Sequence, residues 1–296
     1  MLCAAGELPA DETGWAFEVK WDGIRAMVSV EDDLLIRSRS GEDITSRYPE
    51  LAQLPELAAG RRMLLDGELI CLDDDGRPSF TRMQRRLGAA WLTAPVDCPV
   101  QLVVFDVLWV DGEDLCSAPY RQRRATLTGL DLNGSCVTTP PVQLSDGAAF
   151  FDVVRRRGLE GIVAKHLDAP YRPGRRTRSW RKIPAYDTDE FVVCGVQARR
   201  GHGARALHLA RVDDDGQLVY AGRVGSGFSA ADQREFVGLL APLACPDTPV
   251  SGWRPPSGVI CVRPEAHVTV RHLGYTGSGL LRQPVYLTIT PTRTAA

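Results

Sequence analysis

One short stretch limits the fold more than any other. Residues 101–110 read Gln-Leu-Val-Val-Phe-Asp-Val-Leu-Trp-Val, a nearly continuous apolar run with one carboxylate, Asp106, in its middle. So short a run of β-branched and aromatic residues reads as a buried strand. Residues 63–72 repeat the pattern, interrupted by Asp66-Gly67-Glu68 and closed by the turn Asp73-Asp74-Asp75-Gly76. As isolated residues, Glu68 and Asp106 on such strands are expected in buried ion pairs with nearby Arg, and Phe105 in a core.

Further elements are placed around this pair. The spacing predicts strands over 15–20, 25–31 and 34–40, with a hairpin turn at Asp32-Asp33. A short helix is expected over 48–58 after Pro49, with helices over 80–87, 120–130 and 148–157. A strand is predicted over 161–165, then a loop rich in Arg, Pro and Gly over 170–178 and a closing stretch over 179–183. The character changes after Pro184. Strands are expected over 189–196, 206–212, 218–224, 258–263 and 266–271, with turns at Arg199–Gly203 and Asp213–Gly216 and one helix near 230–240. That pattern suggests a small Greek-key barrel of the oligonucleotide-binding (OB) type. The expectation is an α+β chain of two domains, 1–186 and 187–296.

Composition bounds the function. Hydrophobic content of 44% and charged content of 24% are ordinary for a soluble globular protein. No stretch has the length of a membrane span and no secretory signal is visible, so the cytoplasm is expected and a membrane partner is not. The net charge of -2 argues against a uniformly basic nucleic-acid binder, but a local basic face remains open. None of the eight Cys forms a C-x-x-C pair, which suits reduced thiols and excludes a zinc motif. The five His form no metalloprotease or triad signature. No oligomer signal is legible, so a monomer is expected.

The basic residues are more informative. Of 35 Lys and Arg, only Lys20, Lys165 and Lys182 are Lys. Arg serves any solvated positive charge, so Lys is expected where Arg fails. Arg cannot act as an amine nucleophile, whereas a desolvated Lys can. Lys20 ends an apolar run and is followed by a sharp polar turn and then Arg25.

Lys20-Trp21-Asp22-Gly23-Ile24-Arg25 resembles the K-x-D-G-x-R signature of covalent nucleotidyltransferases: ATP-dependent DNA ligases, RNA ligases and capping enzymes. Five other stretches resemble the family's motifs, in its order. They are Arg37-Ser38-Arg39-Ser40-Gly41, Leu65-Asp66-Gly67-Glu68-Leu69, Val104-Phe105-Asp106-Val107-Leu108, Glu160-Gly161-Ile162-Val163-Ala164-Lys165 and Ser179-Trp180-Arg181-Lys182-Ile183. All three Lys fall on family lysine positions. The resemblance covers essentially the whole chain and looks closest to the ligase domain of bacterial end-joining ligases.

The resemblance implies a nucleotidyltransferase (ATP-grasp-like ligase adenylation) domain followed by an OB-fold barrel. It implies an ATP-dependent DNA ligase acting in repair or recombination through a lysyl-AMP intermediate. Lys20 would attack the α-phosphate of ATP, and Lys165 and Lys182 would hold that phosphate. Phe105 would stack on adenine, Glu18 would lie beside the base through its backbone, and Arg25 would complete the nucleotide site. Glu68 and Glu160 would hold Mg²⁺ or Mn²⁺, with Glu68 also meeting the ribose. Arg25, Arg39, Arg175, Arg176 and Arg178 would contact DNA phosphates. The implied partners are nicked or broken duplex DNA and end-joining repair proteins, in the bacterial cytosol or nucleoid.

Two positions depart from the family. A second Lys often lies two residues after the W-x-K Lys; here Pro184 stands there, with Arg181 as the nearest substitute. The terminal R-x-D-K segment is replaced by Thr290-Pro291-Thr292-Arg293. Those departures keep two alternatives open: a ligase-fold protein sealing only pre-adenylated nicks, and a non-catalytic DNA-end-binding module. An RNA ligase or capping enzyme is a rival with the same chemistry.

Overall fold

Alternation along the strands builds a cleft. The computed structural model describes residues 1–87, 98–198 and 203–291, which divide into two units, Met1–Ala185 and Tyr186–Ala296. The first runs β1 (Leu2–Ala5), β2 (Trp15–Val19), β3 (Ile24–Val30), β4 (Leu34–Ser38), α1 (Leu54–Leu57), β5 (Met63–Cys71), α2 (Phe80–Arg85), β6 (Val100–Val110), β7 (Glu113–Asp114), α3 (Tyr120–Gly129), β8 (Val137–Thr138), α4 (Gly147–Arg156), β9 (Gly161–His166) and β10 (Arg176–Pro184). Its smaller sheet has the order β1-β10-β9-β2. Its larger sheet has the order β4-β3-β5-β6-β7, with β8 beside β6.

Each sheet buries one face in its own core. On the larger sheet Ala26, Val28, Ile36, Leu65, Leu69, Leu102, Val104 and Val107 pack with Leu51, Leu54, Met83 and Leu127. On the smaller sheet Trp15, Phe17, Ile162, Ala164 and Ile183 pack with Val154 of α4. The opposite faces meet in a third cluster, where Met27, Leu64, Phe105 and Leu108 of the larger sheet touch Tyr171 and Trp180. Val104 and Val107 are both core residues, and the ladder shifts register beside Gly67. That bulge frees Phe105 to face the cleft instead.

The second unit runs β11 (Asp187–Ala198), β12 (Ala204–Val212), β13 (Leu218–Val224), α5 (Ala230–Leu240), β14 (Val259–Cys261), β15 (Ala266–His272) and β16 (Val285–Pro291). The strands form one antiparallel sheet, β13-β12-β11-β15-β16, with β14 paired to β11. Its core joins Phe191, Val193, Leu207, Leu209, Val268 and Val270 to Phe236 and Leu240 of α5. Six strands, of which β14 is only three residues long, and one helix fit the expected OB type. No helix among the described residues is long and apolar enough to cross a membrane.

The structure corrects several expected elements. The stretch 48–58 is a 3₁₀ turn, Pro49–Gln53, followed by only one turn of α-helix, Leu54–Leu57. Pro49 and Pro55 lack amide donors, which breaks up a longer helix. The strand expected over 34–40 stops at Ser38. The loop over 170–178 ends early, because Arg176 and Arg178 already belong to β10, which pairs in parallel with β1. Strands β1, β7, β8 and β16 are additional to the expected set, although Val285-Tyr286-Leu287-Thr288-Ile289-Thr290 alternates as a strand does. The turn expected at Arg199–Gly203 and the residues Thr292-Arg293 lie outside the described residues, Gly203 excepted.

Asp106 is wholly buried and receives Arg123 bidentately, Nε to Oδ1 at 2.8 Å and Nη2 to Oδ2 at 3.0 Å. Arg123 also donates to the carbonyls of Ala118 (2.7 Å) and Ala169 (3.1 Å). Burial pushes the Asp106 carboxyl up and the guanidinium opposes it. Arg123→Met strands a buried charge and is expected to destabilise this unit by about 3–5 kcal/mol. Arg123→Met/Asp106→Leu recovers most of that loss; urea unfolding of the single and double variants checks the cycle.

In the second unit, His208 packs against the stacked rings of Tyr220 (ring centroids 5.9 Å) and Trp253 (5.3 Å), and Nδ1 shares a 2.8 Å hydrogen bond with the Tyr220 hydroxyl. Its Nε2 is buried with no hydrogen-bond partner among the described residues. Burial, aided by Arg223, lowers its pKa from 6.5 to about 4. Between those two values only the unfolded chain binds the proton. Stability from this group is therefore fully present above pH 6.5 and is lost as pH falls toward 4. His208→Phe removes the dependence. Urea midpoints at pH 7 and 4.5 are expected to fall further in the wild type, by about 2 kcal/mol.

Candidate active site

Register aligns the expected site residues. On β2 the residues facing the cleft are Ala16 and Glu18, and Lys20 follows the strand. Across the ladder, Glu18 lies opposite Val163, which lies opposite Lys182. One row deeper, Ala16 lies opposite Lys165, which lies opposite Trp180. The facing sheet pairs Arg25 with Glu68. One cavity of about 140 Å³ is lined by Glu18, Lys20, Arg25, Glu68, Phe105, Lys165 and Lys182, together with Cys3, Val19, Trp21, Val163 and Trp180. Two other cavities are larger, about 580 and 960 Å³, but neither gathers lysines and carboxylates in this way. Chemistry, not size, marks the site.

Two glycines are required by close approach. A Cβ on Gly23 would lie 2.1 Å from the carbonyl oxygen of Leu69. Gly161 has φ +134°, and a Cβ there would lie 2.3 Å from the carbonyl oxygen of Ile183. That conformation turns the chain from Glu160 into β9, while the Gly161 carbonyl accepts the Lys20 amide at 2.8 Å. So Lys20 and Glu160 are brought together by backbone geometry.

Most charges in the cleft are already paired. Lys20 Nζ forms an ion pair with Glu160. Arg25 is bidentate to Asp66, Nε to Oδ1 at 2.9 Å and Nη2 to Oδ2 at 2.6 Å, and Tyr171 donates to the same carboxylate at 2.7 Å. Lys165 Nζ meets Glu18 Oε1 at 2.7 Å and donates to the Phe105 carbonyl at 3.1 Å. Glu18 also accepts from the Tyr120 hydroxyl. Lys182 and Glu68 have no ion-pair partner among the described residues. Burial pushes the Glu68 carboxyl up to about 8, with Lys20 and Arg25 pulling down and Asp66 and Glu160 pushing up.

This arrangement changes the reading of several residues. Glu68 is not in the buried Arg pair expected of it; Asp66 takes Arg25 instead. The Arg25 fork is thereby occupied. Lys165 is 2% exposed and sits at the floor of the cavity, behind Glu18. Arg181 faces the outer side of its sheet, its guanidinium 4.3 Å from the Trp15 ring, so it does not replace the cation missing at Pro184. Arg39 is exposed past the end of β4, Arg175 and Arg178 are exposed, and Arg176 donates to the Cys3 carbonyl. Asp66, Tyr120, Tyr171 and Trp180 escaped sequence reasoning as site residues. Asp66 and Trp180 lay inside quoted motifs, but the two tyrosines carry no motif.

Two family descriptions match: "ATP dependent DNA ligase domain" over residues 8–183 and "ATP dependent DNA ligase C terminal region" over residues 200–292. The chain is 38% identical over 284 residues to the multifunctional non-homologous end joining DNA repair protein LigD of Mycobacterium tuberculosis, covering 94% of this chain and 36% of that protein. It is 37% identical over 287 residues to a probable DNA ligase of Streptomyces coelicolor, covering 93% and 54%. The chain thus spans about a third to a half of the length of these relatives. A solved mycobacterial DNA ligase D complexed with ATP superposes with a TM-score of 0.58 at 35% identity, covering 99% of this chain and 95% of that one. A nucleotidyltransferase domain followed by an OB-fold domain accounts for the two units. Matched along both halves, and above 30% identical to relatives over more than nine tenths of its own length, the chain belongs to the family of ATP-dependent DNA ligases.

Proposed function

We propose that this chain seals DNA nicks or breaks at the expense of ATP, through AMP carried on Lys20. The observation that carries the reading is the position of Lys20. Its amine lies beside Glu160 in a cavity that also holds Glu68, Lys182 and an aromatic floor. In the first step the Lys20 nitrogen bonds to the α-phosphorus while the bond to pyrophosphate breaks. In the second, the 5′-phosphate of the DNA takes the AMP from Lys20. In the third, the 3′-hydroxyl attacks that phosphate and AMP leaves. Such transfers depend on positioning and charge neutralisation.

Lys20 must be neutral to attack, so its contact with Glu160 must first break. Lys182 supplies a compact cation for the α-phosphate. Phe105 offers a ring to the adenine and Glu18 lies beside the base. Glu68 and Glu160 fit Mg²⁺ or Mn²⁺. Two hard oxygen donors with phosphate oxygens and water are what such a cation takes at phosphates, and Glu68 is buried at a cost that a cation relieves. The ion would neutralise charge on the phosphates. Arg39, Arg175 and Arg178 are the exposed candidates for DNA phosphates, Arg176 lies beside them, and Arg25 serves from its bridge to Asp66. The names of the LigD relatives support a setting in end joining, with break-binding proteins as partners.

A second reading rests on Arg181. With that side chain turned onto Trp15 and Pro184 uncharged, β10 brings one cation, Lys182, to the phosphate. This favours a weak loading step and a chain that seals chiefly pre-adenylated nicks.

Incubation with labelled ATP and Mg²⁺ is expected to label the wild type covalently, and Lys20→Ala not at all. An unlabelled wild type that still seals a pre-adenylated nick selects the second reading. Loss of both activities refutes a ligase role. Lys182→Met is expected to slow labelling about 100-fold while ATP binding stays measurable by equilibrium dialysis.

A further inference from the structure

Lys165 lies where a phosphate ligand would be poorly placed. Its ammonium is 4.4 Å from the Trp180 ring centroid, 4.7 Å from Phe105 and 4.9 Å from Tyr120. A carboxylate oxygen of Glu18 and the Phe105 carbonyl oxygen take its hydrogens. Reaching a triphosphate would require it to leave a buried counter-ion and three ring faces at once. Lys182 lies one row nearer Lys20, opposite Val163, and has no such commitments among the described residues.

The third member of this group is Tyr120. It opens α3, its amide is bound to the Ala169 carbonyl at 3.0 Å, and its side chain is fully buried. Its hydroxyl donates to Glu18 Oε1, the same oxygen that Lys165 holds. Burial and the Glu18 charge raise the phenol well above its ordinary range, so it stays a donor. Two donors on Oε1 fix the carboxylate plane and leave Oε2 as the edge that can meet a ligand. A carboxylate held in that way accepts hydrogen bonds and repels other acceptors.

We infer that Tyr120 is a positioning residue of the nucleotide pocket: with Lys165 it locks the Glu18 carboxylate toward the amino edge of the base, and Lys165 is the counter-ion of Glu18, not a ligand of the triphosphate. The inference rests on the ATP-dependent reading above, but it makes a separate claim. A phosphate ligand affects every nucleoside triphosphate alike, whereas a lock on Glu18 affects only those with a 6-amino group.

The test uses the full chain and Tyr120→Phe, checked for an unchanged melting curve. Binding by equilibrium dialysis and covalent labelling of Lys20 are measured with ATP and with purine riboside triphosphate, which has no 6-substituent. Tyr120→Phe is expected to weaken ATP binding about tenfold, the size of one hydrogen bond to a charged group, with the maximal labelling rate within about twofold. Binding of the purine analogue should match the wild type. Lys165→Met should weaken ATP more than the analogue, and Glu18→Gln in the same chain should cancel most of the difference. Equal losses for both nucleotides, or a loss confined to the labelling rate, overturn the inference. Base-dependent binding without any labelling upholds it and removes the self-loading reading. Labelling with an indifferent Tyr120→Phe does the reverse.

Discussion

Charge in a dry cleft must be balanced by position, and this constraint governs the first unit. Two sheets each give one face to a core and the other to the cleft, so the cleft side chains are largely cut off from water. Burying an ion without a partner costs several kcal/mol. The fold answers with pairs spread over different elements: Lys20 with Glu160, Arg25 with Asp66, Lys165 with Glu18, Arg123 with Asp106. Each pair ties the cleft face of one strand to a second element. These pairs tie neighbouring elements within each wall, and the Lys165 bond to the Phe105 carbonyl crosses from one wall to the other.

Two groups stand apart from this pairing, and they explain how a nearly neutral cleft can still receive an anion. Lys182 and Glu68 line the cavity without an ion-pair partner among the described residues. A cation and a carboxylate left over in one low-dielectric space leave room for a phosphate and a hard cation to enter together. Lys20 is poised between the two conditions. Its partner, Glu160, is also one of the two carboxylates suited to a metal, so whatever draws Glu160 away also frees the amine.

Much of this was legible in the sequence, for a physical reason. The residues proposed to meet the nucleotide lie on or just past strands whose other face fills a core, so Lys20, Glu68, Phe105 and Lys182 stand out as polar or aromatic breaks in apolar runs. Gly23 and Gly161 mark backbone contacts that no side chain can share. What stayed hidden was long-range. β1 has four residues and pairs with a strand some 170 positions away. Tyr120 and Tyr171 reach the cleft from outside the strands, and nothing local in the sequence marks a hydroxyl that meets Glu18 or Asp66. The direction of Arg181 was also unreadable, because it depends on the parity of β10 and on an irregularity within β10 where it pairs with β1.

The choice between Lys and Arg follows geometry more closely than the sequence suggested. Where a buried carboxylate can be met edge-on, the chain uses Arg, and the contact is bidentate: Arg25 on Asp66, Arg86 on Glu50, Arg123 on Asp106. A planar fork satisfies both oxygens at once. Lys is kept where a fork would not serve, and each of the three has its own reason. As the proposed nucleophile, Lys20 needs an amine that can lose its proton. Lys182 lines the cavity, where the proposed phosphate would be met by a point charge. Lys165 sits inside three rings with one carboxylate oxygen and one carbonyl oxygen to satisfy, a space shaped for a compact ammonium and without room for five donors in a plane. Scarcity of Lys marked all three positions as chemical, and the resemblance gave all three to the α-phosphate; the surroundings of Lys165 are what set it apart.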